Sequence, residues 1–264
     1  MTSNTESNRA DRSADGTASP DIHSSTPSYA SRFSGTTGHW LLDVQDRGTL
    51  EFLGADFLNT IGLGSTALTV LDVGGGHGQN VSAVIGEGHS LTIHGSDESC
   101  SQMIRDRLDQ GEIEFATGPL NKLPFADNSF DVVICYRMFS HIDDWKNLVA
   151  EVTRVSRNLV IVDYPTLCSF NLFSESLFKL KLRIEKNTRP YKVFSRREIL
   201  HEFSRNSYRI GGARKQFFLP MGLHRAISAH RVSAALERMF RAIGFTRLFG
   251  SPVIACFKPV ETTH

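Results

Sequence analysis

The chain has 264 residues, 40% of them hydrophobic, and 29 Lys and Arg against 28 Asp and Glu leave a formal charge of +1. A chain of that size can bury one sizeable core, and a near-zero charge removes any global electrostatic argument for nucleic acid. Four scattered cysteines without C-x-x-C spacing exclude a zinc site or a disulfide framework as the organising principle, and no metal ligand set is expected.

Met1–Gly35 is crowded with Ser, Thr, Asn, Asp and Gly and cannot offset the entropy of ordering, so a disordered tail is expected ahead of one domain over 36–264. It lacks the apolar stretch of a signal peptide, and no run approaches the roughly 20 apolar residues that cross a bilayer, which together predict a cytoplasmic protein. From Trp40 to Ile61 large apolar residues recur at near-helical spacing. One or two amphipathic helices are predicted there, covering the edge where a ligand would sit.

Residues 68–73 predict a buried parallel strand, and a helix is predicted over 77–86. Between them Gly74, Gly76 and Gly78 let main chain turn sharply and approach a ligand where a Cβ would collide. A dinucleotide fingerprint would need glycine at 79, where Gln79 stands. With Asp72 ahead of it, the G-x-G-x-G spacing instead resembles motif I of the class I S-adenosylmethionine-dependent methyltransferases; a tight turn without a ligand is the alternative. The resemblance implies that Asp72, Gly74, Gly76 and Gly78 hold S-adenosylmethionine.

A second strand over 90–95 leads to Asp97, which follows Asp72 by 25 positions, near the spacing of about 20 residues expected between a glycine loop and a ribose-binding acid. Asp97 is equally placed to cap a helix over 99–110. After a third strand at 112–116, Leu123-Pro124-Phe125-Ala126-Asp127-Asn128-Ser129-Phe130-Asp131-Val132-Val133 is similar to a stretch of the type 11 methyltransferase family, which includes quinone-biosynthesis C-methyltransferases. The resemblance covers about residues 65–165. Leu123 and Phe125 can wall an adenine ring, with Leu120 beside them, or simply pack on a core strand. Family members usually carry an acid just before this stretch; Pro119 stands there, so adenine contact is left to backbone near Gly118 and Leu120 or to Asn121.

Strands at 129–135 and 158–163 flank a helix at 145–156, completing an alternation that predicts an α/β, Rossmann-like doubly wound sheet of seven strands with N-terminal helices and a lid inserted after the fifth strand. Residues 165–231 are that expected lid. They hold 14 basic and 4 acidic side chains, net +10, with the rest of the chain at −9. Its apolar residues from Phe170 to Ile184 alternate with lysine and arginine. That suits contact with an anionic membrane or a lipid-like substrate, or equally a lid packed on the core. A helix over 232–243 and a closing antiparallel hairpin of 246–249 with 253–257 are predicted last.

The resemblance implies methyl transfer to an oxygen, carbon or nitrogen nucleophile of a small molecule, with lipid-like, prenylated, phenolic or glycan-linked compounds as acceptors. His141 occupies a position where that family often has histidine, and it is the candidate base, with helix capping as its other reading. Tyr136 is assigned to the cofactor side, and Tyr164 and His224 to substrate contact. A catalytically silent protein that binds cofactor or a partner is the second functional class. Nucleic acid is not an expected partner, and oligomeric state is not legible.

Overall fold

A computed structural model describes residues 21–22, 25–64, 66–169 and 192–260. One sheet of seven strands runs in the order β3-β2-β1-β4-β5-β7-β6. Its strands are β1 (Thr69–Val73), β2 (Ser90–Gly95), β3 (Glu114–Thr117), β4 (Phe130–Cys135), β5 (Ser156–Tyr164), β6 (Tyr208–Phe217) and β7 (Ser251–Pro259). The first five are parallel, whereas β7 is antiparallel to both its neighbours, β5 and β6. All five parallel carboxyl ends therefore share one edge, the edge where such sheets bind ligands.

The helices are α1 (Pro27–Ala30), α2 (Gly35–Leu53), α3 (Ala55–Thr60), α4 (Val81–Gly86), α5 (Arg105–Asp109), α6 (Trp145–Val155), α7 (Arg196–Arg205), α8 (Met221–Ile227), α9 (His230–Ala242) and α10 (Phe245–Phe249). They cover both sheet faces, which is why the central strands read as unbroken apolar runs. Side chains alternate between two cores. Leu71, Val73, Val133, Val160 and Val162 point to one, with α6 and α7, while Val70, Val132, Ile134, Leu159 and Ile161 point to the other, with Phe52 of α2.

Four expectations are corrected. The tail over 1–35 is ordered in part: α1 and a 3₁₀ turn over Ser31–Phe33 pack on the domain, with Phe33 buried. The helix expected from residue 77 begins at Val81, because Gly78 takes φ 70° and its N–H closes a turn on the Gly75 carbonyl at 2.8 Å. The segment 165–231 is not a single lid. Its second half supplies α7, β6 and α8 to the domain itself, and Thr166 and Phe194 bridge its two ends at the foot of the excursion. The apolar and basic stretch from Phe170 to Ile184 lies outside the described residues.

The closing hairpin is β6 with β7, not 246–249 with 253–257. Thr246–Phe249 lies between Gly244, at φ 83°, and Gly250, whose N–H returns to the Thr246 carbonyl at 2.9 Å, and this local bonding makes a helical turn. β6 was concealed by Arg209, Arg214 and Lys215, charges that an edge strand tolerates and that keep it from pairing with other chains.

Candidate functional site

Where β1 ends, Gly74 turns at φ 77° and its N–H pairs with the His94 carbonyl of β2 at 2.9 Å, which joins the two elements that a nucleoside would bridge. A Cβ on Gly74 would lie 2.6 Å from the Met138 sulfur, and one on Gly76 would lie 2.6 Å from the Cys100 carbonyl oxygen and 2.1 Å from Ser25 Oγ. The loop is therefore a cradle of bare backbone hemmed by the segment after β4, by the 3₁₀ turn after β2 and by the N-terminal segment. Asp97 opens that turn: it is exposed, and its carboxylate accepts the Ser99 N–H at 2.9 Å, which holds its pKa below the usual carboxylate range. The capping reading of Asp97 is met, and its adjacency to the loop follows from the Gly76 contact with Cys100.

Asp72 is buried beneath the loop, 1% exposed, and accepts a hydrogen bond from Asn80 Nδ2 at 2.9 Å. Burial pushes its pKa up to about 6, against the smaller downward pulls of Asn80 and Arg137. The chain of contacts continues. Gln45 of α2 donates to Asn80 Oδ1 at 3.2 Å, Arg137 donates to Gln45 Oε1, and the Arg137 N–H donates to Asp163 Oδ1 at 2.5 Å. Arg137 takes φ 59°, an uncommon conformation for a residue with a side chain and one that tends to cluster at functional positions. A polar network thus links β1, α2, β4 and β5 under the carboxyl edge.

A stability prediction follows from Asp72. The unfolded carboxyl ionises near its model value of 3.8, while the folded one keeps its proton to about 6. The contribution to stability is present below the first value and is lost as pH rises through the second. Asp72→Asn is expected to raise the melting temperature at pH 8, by an amount worth about 2–3 kcal/mol, and to change it little at pH 4. Thermal melts at both pH values check this.

The N-terminal segment lies over the loop. Asp21, fully buried, accepts from the Ser96 N–H at 2.6 Å and from the Ser96 hydroxyl at 2.7 Å. The His77 ring packs between Tyr29 and Phe33, at centroid distances of 5.4 and 6.0 Å, and burial lowers its pKa to about 4, with Arg137 adding to the shift. Arg137 lies 4.2 Å from the Phe33 ring centre. Beside the loop opens a cavity of about 440 Å³ lined by Phe33, His77, Gly78 and Gln79 and by His39, Asp43 and Asp46 of α2. The Asp46 carboxyl is raised to about 6, by burial first and by Asp43 second.

Several side chains expected at the site are buried. Leu120 and Leu123 are buried in the α6-side core, and the Leu123–Asp127 loop is pinned by Arg154, which bonds the Leu123 and Phe125 carbonyls and the Asp127 carboxylate. Packing on a core strand is thus the reading that fits Leu123. Tyr136 is 4% exposed with its hydroxyl 2.9 Å from Thr49, and Tyr164 is 3% exposed against Phe194. His224 is fully enclosed between Trp40, Phe217 and Glu237, its Nε2 at 3.0 Å from the carboxylate. His141 is half-buried in a 3₁₀ turn after β4, its N–H on the Met138 carbonyl at 3.0 Å. Asp21, Ser25, Gln45, Asn80 and Arg137 escape a reading of the sequence, since each is an isolated polar residue in an unremarkable stretch. A polar Gln45 on the apolar stripe of α2 is the one available signal.

The strand order, with a glycine cradle at the carboxyl end of β1 and an acid after β2, defines a class I methyltransferase fold of the S-adenosylmethionine-dependent type. Residues 71–160 match the model of the family described as Methyltransferase domain. Demethylmenaquinone methyltransferase of Renibacterium salmoninarum is 30% identical over 116 residues, which are 42% of this chain and 48% of that protein. The match spans about half of that relative's length. Magnesium protoporphyrin IX methyltransferase from Synechocystis PCC 6803, solved with bound SAH, superposes at TM-score 0.59 with 12% identity, covering 90% of this chain and 97% of that one. A geranyl diphosphate methyltransferase in complex with GPP and sinefungin gives 0.54 and 16%, covering 80% and 78%. At such identities the likeness shows the fold. Among the described residues no helix is long and apolar enough to cross a membrane.

Proposed function

We propose that the chain transfers a methyl group from S-adenosylmethionine to an oxygen, carbon or nitrogen nucleophile of a small molecule. The observation that carries this reading is the bare-backbone cradle of Gly74–Gly76 set directly against the turn that Asp97 opens. The cofactor, when bound, supplies a methyl already activated on a sulfonium. The residues fit such a group: the loop admits close approach, and Asp43 and Asp46 line the adjoining cavity with negative charge that suits a cation. Ser25 lies over Gly76, so entry of the nucleoside requires Ser25 to yield.

In this reading Asp97 accepts the ribose hydroxyls, the loop backbone faces the methionine portion, and the network from Asp72 to Asp163 holds the loop and the end of β4 in place. His141 takes a proton from the acceptor nucleophile as it attacks. Leu120 lines the adenine side through its backbone, Tyr136 supports the cofactor side, and Tyr164 supports the acceptor side. Acceptors that are lipid-like, phenolic or glycan-linked stay within the proposal, as does lipid contact through the basic segment after β5.

Asp97→Ala is expected to weaken S-adenosylmethionine binding about 30-fold, the loss of two hydrogen bonds to a charged group. Asp97→Asn preserves the cap on Ser99 and is expected to lose affinity as well, because the charge is gone. Unchanged affinity in calorimetry for both variants refutes the assignment. The position of Ser25 also favours a second reading, a catalytically silent protein that binds cofactor or a partner. Labelled methyl appearing in extract metabolites excludes that reading; tight cofactor binding with no transfer to any acceptor establishes it.

A further inference from the structure

At the β6 edge of the sheet, between α2, β6 and α9, lies a cavity of about 610 Å³. It lies at the sheet edge away from β1, and α2 turns a different face to it, with Trp40, Val44 and Arg47, than to the cavity beside the loop, with Asp43 and Asp46. We propose that this cavity is a second ligand site, one that takes a small molecule bearing a phosphate group on an apolar body. The proposal does not depend on the methyl-transfer reading.

Five guanidinium groups line the cavity, from Arg47, Arg214, Arg231, Arg238 and Arg241. The acids nearby are already engaged. Glu237 accepts the Phe218 and Leu219 N–H groups, each at 2.9 Å, and meets His224 at 3.0 Å, while Glu51 pairs with Arg214. Asp46, which acts on Arg47, lines the other cavity beside the loop. Arg231 and Arg238 form no ion pair among the described residues. Crowding is felt by Arg241, whose pKa is lowered by burial and by Arg214 and Arg47, against upward pulls from Glu237 and Glu51. A dianion in the cavity relieves that repulsion.

The arginine side chains are the donors that a ligand in the cavity would meet. Phosphate matches best, because its several oxygens accept from planar guanidinium forks in pairs. Trp40, Val44 and Phe217 supply an apolar wall for the body of the ligand.

Octyl phosphate, kept below its micellar concentration, is the probe, titrated into the full chain with tryptophan fluorescence and calorimetry. Trp40 lines the cavity, whereas Trp145 is 3% exposed in the core and serves as an internal reference. Saturable binding at one site is expected, at least about tenfold tighter than inorganic phosphate or octanol alone. The exposed pair Arg231→Gln and Arg238→Gln is expected to weaken it about tenfold or more at an unchanged melting temperature. Unchanged affinity in the folded double variant overturns the proposal. So does octyl phosphate binding no tighter than inorganic phosphate, or competition won by a short oligonucleotide.

Discussion

Gly76→Ala is expected to weaken S-adenosylmethionine binding about 100-fold while the protein stays folded. The new methyl would sit 2.6 Å from the Cys100 carbonyl oxygen, a backbone atom held by the 3₁₀ turn over Glu98–Ile104, and 2.1 Å from Ser25 Oγ. The serine can swing away, but the carbonyl cannot move without opening the turn that presents Asp97. Relief of that contact shifts the turn and carries Asp97 away from the ribose while the added methyl blocks close approach to the loop, a combined loss of about 3 kcal/mol or roughly 100-fold in affinity. Gly86→Ala is the control, since a Cβ there meets nothing within 4 Å and alanine favours its helix. Calorimetric titration of both variants decides the matter; equal affinity for the Gly76 variant and the control refutes the cradle.

Phe203→Ala is expected to be the most destabilising single change among the aromatic residues, at about 3–5 kcal/mol. Phe203 of α7 is fully buried and lies flat on Phe257 of β7, with ring centroids 3.7 Å apart and planes 6° from parallel. That pair fastens α7 to the β7 strand, which carries β5 on one side and β6 on the other. For a domain of this size the cost corresponds to a fall of about 10 °C in melting temperature. Differential scanning calorimetry measures it, and a fall under about 3 °C would show that the hairpin is secured elsewhere. Cofactor affinity measured at low temperature is expected to stay within about twofold, because α7 is remote from the loop.

The two predictions differ in how far they could be read from residues alone. Gly74, Gly76, Asp72 and Asp97 stand out in the chain because their constraint is local: a strand end, a sharp bend and an acid at the next strand end are close in sequence or separated by one crossover. The five parallel strands are legible for the same reason, as apolar runs of strand length punctuated by turns. Phe203 and Phe257 are 54 positions apart, and nothing in either neighbourhood announces the stack. The β6 strand between them carries the charges of an edge, so its pattern imitates a solvated loop.

Polar partners show the same division. Asp72 was visible, but its burial, its pKa of about 6 and its path through Asn80, Gln45 and Arg137 to Asp163 arise only when α2 folds back over β1 and β4. Asp21 and Ser25 belong to a stretch whose composition predicts disorder. They order here because the exposed end of β2 offers the Ser96 N–H and hydroxyl, and His77 offers a ring for Tyr29 and Phe33.

Order along the chain was thus enough for the class of fold, the glycine loop and the acid that follows it, since the strand, turn and helix patterns that signal them are local in the sequence. Packing across the sheet assigned Leu123, Tyr136 and His224 to the interior, gave β7 its partner, and gathered five arginines from α2, β6 and α9 around one cavity. Burial and the pairing of charge depend on which distant surfaces meet, and composition carries no record of that meeting.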